Sequence, residues 1–383
     1  MYIASADDIK QGKVTDVYFE RALRIIKAKN LDKKVKAEIS VKGLPKGYNW
    51  AVLCGLEEVL ELLNGKNVNV RSIPEGSIFK ENEPILEIEG NYSEFAVFET
   101  AILGFLSQES GVATKAARIK KIAGNKPVLS FGARRMHPAI AVAIERAAYI
   151  GGCDGFSTVI AGDVLNIEPS GTMPHSLMLI VGDTVKAALY FDEVVEPNVA
   201  RVVLIDTFSD EKFEALRVAE NLKERLSGIR LDTPSSRRGN IRKILEELRW
   251  ELDLRGFNNV QLFVSGGLNE ESVAEIVDIA DGFGVGTSVS SATTIDFSMD
   301  IVEVESKPLS KKGKISGSKN LFRCPNCLNS IVLPKNSKNP LCSCGSVMEN
   351  ILVDVMKNGK MIKETEDVKT IKNRCTREIA YVD

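Results

Sequence analysis

The sequence has no excess of charge of either sign and no long apolar run. Lysine and arginine together number 50 and aspartate and glutamate number 52, so the formal net charge is -2. A protein that binds nucleic acid or an anionic membrane over a broad surface needs a basic field, which this composition does not supply. Any anion site must therefore be local, and we expect neither a nucleic-acid nor a membrane partner.

A secretion signal is also missing. The segment Met1–Lys13 contains two aspartates where a signal peptide needs a basic stretch followed by an apolar one. No later stretch has 18 uninterrupted apolar residues, the length from which a transmembrane helix is predicted. We therefore expect a cytoplasmic protein, and a chain of 383 residues predicts two or three domains.

The N-terminal segment, up to about residue 115, mixes helical and strand patterns. Residues 16–26 have the apolar spacing of an amphipathic helix, and residues 35–41 alternate apolar and polar side chains like a strand. Short strand-like runs joined by Pro and Gly turns follow in residues 70–90, and then a helix from about Tyr92 to Ser107. The pattern predicts an α+β domain over residues 1–115, completed by strands from the C-terminal segment.

From residue 116 to 297 the pattern changes to short apolar runs, each ending in Gly, Asp or Thr and followed by a helical stretch. Strands that are buried on both faces and alternate with helices predict a parallel sheet. Six or seven such units occupy fewer residues than the ~250 of a complete (β/α)₈ barrel, so we predict a small or incomplete parallel β/α barrel. A doubly wound open sheet is the alternative. In both, the active site lies at the carboxyl ends of the strands.

Four of the seven cysteines lie close together in the remaining segment, residues 298–383, whereas the other three are far apart. A C-x-x-C turn and a C-x-C turn can aim four thiolates at one point, which suits tetrahedral Zn²⁺. We predict a structural zinc ribbon at about residues 321–347, with an unmetallated thiol cluster or an iron site as alternatives. Four thiolates leave no open coordination position, so a catalytic role is not expected. The predicted ligands are Cys324, Cys327, Cys342 and Cys344.

Two glycine-rich loops follow the last two predicted strands of the barrel. One is Ser265-Gly266-Gly267 and the other is Gly284-Val-Gly286-Thr287, and a helical stretch follows each. Glycine lets backbone N–H groups converge on an anion at a helix N-terminus. Loops after the last two strands of a barrel are a common phosphate grip. A single loop would be weak evidence, but two consecutive loops predict a phosphate site.

Charged residues follow other strands of the same region. Arg134 and Arg135 can each bind a carboxylate or phosphate through two hydrogen bonds, and the alternative is that they cover the barrel rim. Asp206 and Asp232 can hold Mg²⁺ or ribose hydroxyls, or cap the following helices. His175 is one of only two histidines, and its spacing fits a turn residue as well as a chemical role.

Residues 10–295 resemble the type II phosphoribosyltransferases of pyridine nucleotide synthesis, and among these nicotinate phosphoribosyltransferase. Ser110-Gly-Val-Ala-Thr114 is similar to the N-terminal domain shared with quinolinate phosphoribosyltransferase. Phe131-Gly-Ala-Arg134 and Arg230-Leu-Asp232 look like barrel motifs of the family, and Met-Pro-His175-Ser matches its phosphorylated histidine. Quinolinate enzymes lack that histidine. The zinc ribbon departs from the larger members of the family.

The resemblance implies a role for several of these side chains. Phe131 and Tyr18 of a neighbouring subunit would sandwich the pyridine ring, in a homodimer or higher oligomer with shared active sites. Core packing is the ordinary interpretation of Tyr18, which lies on an amphipathic helix. Arg134 and Arg230 would orient the nicotinate carboxylate or pyrophosphate. Ser157 stands where relatives acting on nicotinamide carry an aspartate, which fits a carboxylate substrate.

The implied reaction joins nicotinate to the ribosyl phosphate of PRPP and releases pyrophosphate, in the synthesis of NAD. Asp206 and Asp232 would lie near PRPP and its ribose, with Mg²⁺ on the pyrophosphate, and phosphorylation of His175 would couple ATP hydrolysis to synthesis. Two alternatives stay open: a decarboxylating quinolinate phosphoribosyltransferase, and a zinc-ribbon protein that binds nucleic acid and uses the barrel only as a scaffold.

Overall fold

A computed structural model describes residues 2–233 and 239–382. The chain divides into two compact units, of which one is Met1–Thr114 with Thr293–Asp383 and the other is Lys115–Ala292. Within the described residues, no helix combines the length and the apolar character that crossing a membrane requires.

The elements of the chain up to residue 123 alternate between helix and strand. Asp16 is the N-cap of the second helix, and the side chain of Ser5 caps the first one by accepting a hydrogen bond from Asp8 N–H. In chain order the elements are α1 (Ala6–Lys10), α2 (Val17–Ala28), β1 (Lys34–Val41), β2 (Ala51–Val52), α3 (Leu56–Leu63), β3 (Val68–Ser72), β4 (Ile78–Phe79), β5 (Pro84–Asn91), α4 (Tyr92–Phe95) and α5 (Glu99–Ala123).

The second unit alternates short strands with helices. Polar side chains cap several of these helices: Asp183 accepts from Lys186 N–H, and Asn269 and Ser272 form a capping box. The elements are β6 (Val128–Ser130), α6 (Ala141–Ile150), β7 (Gly155–Phe156), α7 (Val159–Leu165), α8 (His175–Val181), α9 (Thr184–Val194), β8 (Val202–Leu204), α10 (Glu211–Leu222), β9 (Gly228–Leu231), α11 (Ile241–Leu254), β10 (Gln261–Val264), α12 (Glu270–Ile276), β11 (Gly282–Val285) and α13 (Thr287–Ser290).

The rest of the chain returns to the first unit and is mostly strand. Its elements are β12 (Phe297–Val304), β13 (Lys307–Pro308), β14 (Lys319–Arg323), β15 (Ser330–Pro334), β16 (Glu349–Asn350), β17 (Val353–Lys357), β18 (Lys360–Met361) and α14 (Val368–Ile379).

An antiparallel sheet organises the first unit. Its seven strands run in the order β13-β12-β1-β5-β3-β17-β18, so three early strands form the centre and late strands form both edges. Ile39 on β1 pairs with Met299 on β12 and with Leu86 on β5. Apolar side chains of α3 and α5 pack with the sheet residues in one core cluster. Strands β15, β14 and β16 form a separate three-stranded sheet.

A buried arginine connects these two sheets. Arg71 on β3 donates to the carboxylate of Glu87 at 3.1 Å and to the backbone carbonyls of Lys319 and Leu352, each at 3.1 Å; it also bonds Asn320. Its side chain is only 8% exposed. A buried charge is tolerated when its hydrogen bonds are satisfied, and these partners come from β5, from β14 and from the segment before β17.

Helix α5 differs from the predicted helix over Tyr92–Ser107, because it begins at Glu99 and continues to Ala123. Beyond Ser107 the helix contains several polar residues. Two of those residues are buried within the first unit: Ser110 accepts from Cys54 N–H at 3.0 Å and Thr114 accepts from Val52 N–H at 2.9 Å. Polar side chains of the helix therefore satisfy backbone groups of β2 and of the segment that follows it.

The second unit contains a parallel sheet with the order β7-β6-β11-β10-β9-β8. The strands β8 to β11 are neighbours in chain order, and β6 then pairs with the last strand, β11. This is the order of a barrel that is open between β7 and β8, and not the reversing order of a doubly wound sheet. The prediction of a small or incomplete parallel barrel is confirmed, and each predicted apolar run from Val128 onward contains one of its strands.

Candidate active site

The register of the parallel sheet places the strand ends at one level. Ser130 on β6 is paired with Phe156 on β7 and with Val285 on β11. The next residues, Phe131, Ser157 and Gly286, therefore stand together at the carboxyl edge. Leu231 on β9 is likewise paired with Val264 on β10, which brings Asp232 beside Ser265. Side chains from distant parts of the chain meet here because parallel strands present their carboxyl ends on one side.

A cavity of about 480 Å³ opens at this edge. It is lined by thirteen of the site residues that the sequence predicts, and also by Gly171, Thr172, Met173, Pro174 and Ser176 of the segment that leads into α8. The thirteen are Phe131, Arg134, Arg135, Ser157, His175, Arg230, Asp232, Ser265, Gly266, Gly267, Gly284, Gly286 and Thr287.

Two predicted residues do not line the cavity. Asp206 is almost completely buried behind His175, with a side chain only 2% exposed. Tyr18 lies on α2 of the first unit, where its ring packs 4.3 Å from that of Phe19 and is 57% exposed.

Asp206 at this edge has three hydrogen-bond partners. Its Oδ1 lies 3.2 Å from His175 Nε2. Its Oδ2 accepts from Asp232 N–H at 2.9 Å and from the Thr233 hydroxyl at 2.6 Å. Both carboxylate oxygens are thus engaged. A carboxylate bonded to one ring nitrogen fixes the tautomer and orientation of a histidine, so Asp206 positions His175 at the start of α8.

The first glycine loop is built around Asp232. Ser265 donates from its hydroxyl to Asp232 Oδ1 at 2.7 Å. Gly266 has a φ of +86°, and a Cβ atom on it would lie 2.8 Å from the carbonyl oxygen of Asp232. Gly267, with a φ of +75°, follows in the same left-handed region. Only glycine adopts this loop without strain, and the loop leads into α12, where backbone N–H groups can bind an anion.

Phe131 packs over the second glycine loop. A Cβ atom on Gly284 would lie 2.5 Å from the Phe131 ring, so the ring needs a glycine there. Phe131 N–H donates to Val285 carbonyl at 2.8 Å, which fixes the residue to β11. The aromatic face is thereby held at the wall of the cavity.

Arg230 connects the aromatic wall with the acids. Its guanidinium carbon lies 5.9 Å from the centre of the Phe131 ring, and its Nη2 lies 4.0 Å from Asp232 Oδ2. It also donates to the hydroxyl of Thr172. Burial lowers the pKa of Arg230, while the nearby Asp232 and Asp206 raise it. The group keeps its charge because a guanidinium is not deprotonated in proteins.

Arg134 and Arg135 are exposed in a short 3-10 turn over Ala133–Arg135. Across residues 2–233 and 239–382, no carboxylate forms an ion pair with either side chain. Each can therefore turn its planar guanidinium toward an anion in the cavity.

Sequence reasoning missed several supporting residues. Thr172 and Thr233 bind Arg230 and Asp206, as described above, and Glu145 on α6 is fully buried against Ser157. A glutamate within the apolar stretch Ala141–Ile150 was the available signal for Glu145. Thr172 and Thr233 lie in irregular segments whose contacts depend on the register of the sheet.

The four clustered cysteines converge in the first unit, with all sulfur atoms within 4.8 Å of one another. Cys324 and Cys344 Sγ are 3.4 Å apart, and Cys327 Sγ is 3.5 Å from that of Cys342. Hydrogen bonds from the backbone N–H and hydroxyl of Ser346 lower the pKa of Cys344 to about 6. Thiolates are the metal-binding form, so the set has the composition and spacing to hold a metal ion.

Known proteins match both units of this chain. Family models of quinolinate phosphoribosyl transferase match residues 16–110 for the N-terminal domain and residues 112–300 for the C-terminal domain. The nicotinate phosphoribosyltransferase of Bacillus subtilis is 34% identical over 320 residues, which are 74% of this chain and 63% of that protein.

Two crystal structures match nearly the full chain. Nicotinate-nucleotide pyrophosphorylase from Pyrococcus furiosus is 51% identical with a TM-score of 0.97, and the match covers 100% of this chain and 98% of that one. Human nicotinic acid phosphoribosyltransferase shares the fold at 20% identity, with a TM-score of 0.74 over 96% of this chain and 94% of the human one. The predicted family is confirmed, and the chain belongs to the type II phosphoribosyltransferases, the family of the quinolinate phosphoribosyl transferase domains.

Proposed function

We propose that this chain is a cytoplasmic nicotinate phosphoribosyltransferase, which forms nicotinate mononucleotide and pyrophosphate from nicotinate and PRPP. The observation that carries the proposal is the cavity at the carboxyl edge of the half-barrel. There an aromatic ring, two arginines without ion-pair partners among the described residues and two glycine loops surround one space. The Bacillus relative bears the same enzymatic name.

The glycine loops would hold the 5′-phosphate of PRPP. Gly266 and Gly267 adopt left-handed conformations before α12, and Thr287 begins α13 directly after Gly286. Backbone N–H groups at such turns point toward a bound anion without a charged side chain. The remainder of PRPP would then extend across the cavity toward Asp232 and Arg230.

The pyridine ring would stack on Phe131, with its carboxylate toward Arg134 and Ser157. Ser157 offers a hydroxyl and no negative charge, so it does not repel the carboxylate. Tyr18 of a second subunit would cover the opposite face of the ring, in a homodimer or higher oligomer with shared active sites. The exposure of the Tyr18 ring on α2 is compatible with such a contact.

The chemical step requires little proton transfer. The bond from ribose C1 to the pyrophosphate oxygen breaks, positive charge develops on the ribose, and the pyridine nitrogen forms the new bond to C1 from the opposite face. Catalysis then comes from positioning and from electrostatic stabilisation of that charge. Asp232 is the carboxylate at the cavity wall that can face the ribose, because Ser265 engages only its Oδ1.

When Mg²⁺ is bound, its positive charge neutralises the departing pyrophosphate. Asp206 is a poor ligand for it, since both carboxylate oxygens already accept hydrogen bonds. Asp232 is the alternative ligand through Oδ2, from which Arg230 Nη2 lies 4.0 Å. Among the described residues, no group of three carboxylates or histidines converges at the cavity. Most ligands of Mg²⁺ would therefore come from PRPP and water, as is usual for this ion.

His175 would accept a phosphoryl group from ATP. Asp206 occupies Nε2, and Nδ1 has no hydrogen bond to any described residue, so a neutral imidazole would present Nδ1 as the nucleophile. The side chain is 40% exposed and lines the cavity. A phosphorylated His175 would add negative charge beside the pyrophosphate and favour its release.

The cysteine cluster would hold structural zinc. Zn–S bonds of about 2.3 Å in a tetrahedron place the sulfurs about 3.8 Å apart, close to the observed 3.4, 3.5 and 3.8 Å. The thiols lie on turns next to β14 and β16, so the metal would stabilise the three-stranded sheet as a zinc ribbon.

A decarboxylating quinolinate phosphoribosyltransferase is the second candidate, because the matching family models are those of quinolinate enzymes. That substrate carries two carboxylates and needs additional basic groups. Within the described part of the chain, the basic side chains that line the cavity are Arg134, Arg135, His175 and Arg230.

Incubation with PRPP and Mg²⁺ should yield nicotinate mononucleotide from nicotinate, with or without ATP, and should release little CO₂ from quinolinate. Mass analysis of the nucleotide and measurement of CO₂ separate the two reactions. A reaction without nicotinate mononucleotide under every condition would contradict the proposal.

Replacement of His175 by alanine should abolish the stimulation by ATP and the transfer of label from the γ-phosphate of ATP to the protein. The matched control is His137→Ala, which removes the only other histidine and should retain both. The measurement is the rate of nicotinate mononucleotide formation with and without ATP. Full stimulation in the His175→Ala variant would exclude the coupling role.

Purified protein should contain about one zinc ion per chain. Cys342→Ser should lower the zinc content and the melting temperature, because three thiolates bind zinc more weakly. Cys375→Ser, which changes a buried thiol outside the cluster, should retain the zinc. Metal analysis that finds no zinc, or equal zinc in both variants, would refute a structural zinc site.

A further inference from the structure

Glu145 is a buried acid directly behind the wall of the cavity. It lies on α6 and is 0% exposed. Its Oε1 lies 3.3 Å from the backbone nitrogen of Ser157 and 3.3 Å from the hydroxyl oxygen of Ser157, and both contacts are hydrogen bonds. Ser157 in turn lines the cavity. Of the described partners of Glu145, Ser157 is the one that lines the cavity.

No basic side chain among the described residues offsets the charge that Glu145 can carry. Within the described residues, Glu145 forms no ion pair, whereas Glu214, which is equally buried in the same unit, pairs with Arg217 at 2.8 Å. Burial raises the pKa of Glu145, and hydrogen bonds from Ser130, Ser157 and Thr158 oppose that shift only in part. A fully buried carboxyl group without a basic partner has a free-energy cost, which the fold must offset elsewhere.

The two contacts restrict the end of strand β7. That strand is only two residues long, Gly155–Phe156, and Ser157 follows it directly. A serine hydroxyl without a partner rotates among three staggered positions. Because one carboxyl group contacts both the backbone and the hydroxyl of Ser157, the hydroxyl has one favoured direction. Neighbouring Ser130 precedes Phe131, so the same acid also lies behind the aromatic wall.

We propose that Glu145 is a positioning residue that acts through Ser157 to fix the polar end of the pyridine site, and so sets the affinity for the ring carboxylate. The inference rests on the proposed function. When the buried carboxyl group carries its proton, Glu145 donates to the Ser157 oxygen. The single hydroxyl proton of Ser157 is then directed to the ring carboxylate, which binds without first ordering that side chain. An uncharged carboxyl group in this position also adds no repulsion toward the anionic substrate. The glycine loops would hold PRPP, so the affinity for PRPP should not depend on Glu145.

The kinetic test separates the two substrates. Glu145→Ala should raise KM for nicotinate about tenfold, the effect expected for the loss of one ordering hydrogen bond, and should change KM for PRPP less than about twofold. Ser157→Ala should act similarly. The double variant should have a KM for nicotinate no higher than that of the single variant with the higher KM, because both changes remove the same contact. The isosteric Glu145→Gln, which has no charge but can still bond Ser157, should restore KM for nicotinate toward the wild-type value.

Glu214→Ala is the matched control, since it removes an equally buried carboxylate that does not contact the cavity. It should lower the melting temperature and leave KM for nicotinate unchanged. If Glu145→Ala does not fold, Glu145→Asp replaces it, because the shorter acid keeps the charge type but loses reach to Ser157.

Three outcomes would overturn the inference: an unchanged KM for nicotinate, an equal rise in both KM values, or multiplicative effects of the Glu145 and Ser157 substitutions. If the wild-type protein forms no nicotinate mononucleotide, the proposed function fails as well. Wild-type turnover with any of the three outcomes overturns the role of Glu145 alone.

Discussion

The bonds of the Asp206 carboxylate are the interaction on which the candidate site depends. This group accepts from the His175 ring on one oxygen, and from Asp232 N–H and the Thr233 hydroxyl on the other. It thereby connects the end of β8, the end of β9 and the start of α8. The sheet brings these segments to one edge, and the carboxylate fixes their relative position within it. A histidine held in this way presents a defined ring nitrogen to the cavity, which a freely rotating side chain cannot do.

The residues of the candidate site form two layers, one that faces the cavity and one that supports the first. Phe131, Arg134, Ser157 and the glycine loops face the cavity. Asp206 and Glu145 lie behind them and restrict how the first layer can move. Because phosphoribosyl transfer gains from orientation more than from proton transfer, the second layer would contribute to catalysis by holding the residues that would touch substrate.

The sequence was sufficient for the half-barrel and for the residues at its strand ends, because short apolar runs that end in Gly, Asp or Thr have few structural solutions. It was not sufficient for contacts that depend on register. Spacing offered Mg²⁺ or ribose as partners of Asp206, whereas the structure engages both of its oxygens with protein groups. Helix α5 was predicted too short, and the contacts of Ser110 with Cys54 and of Thr114 with Val52 depend on tertiary structure. The sequence of one chain also does not show which group the exposed Tyr18 ring contacts.

The central claim is that the carboxyl edge of the half-barrel holds nicotinate mononucleotide in one defined orientation. The most direct measurement is a crystal structure of the protein with that nucleotide. We predict that the phosphate lies between the loops at Gly266 and Gly286, that the pyridine ring stacks on Phe131, and that the carboxylate is within hydrogen-bond distance of Ser157 or Arg134. A nucleotide bound outside this cavity, or with its phosphate away from both glycine loops, would contradict the account.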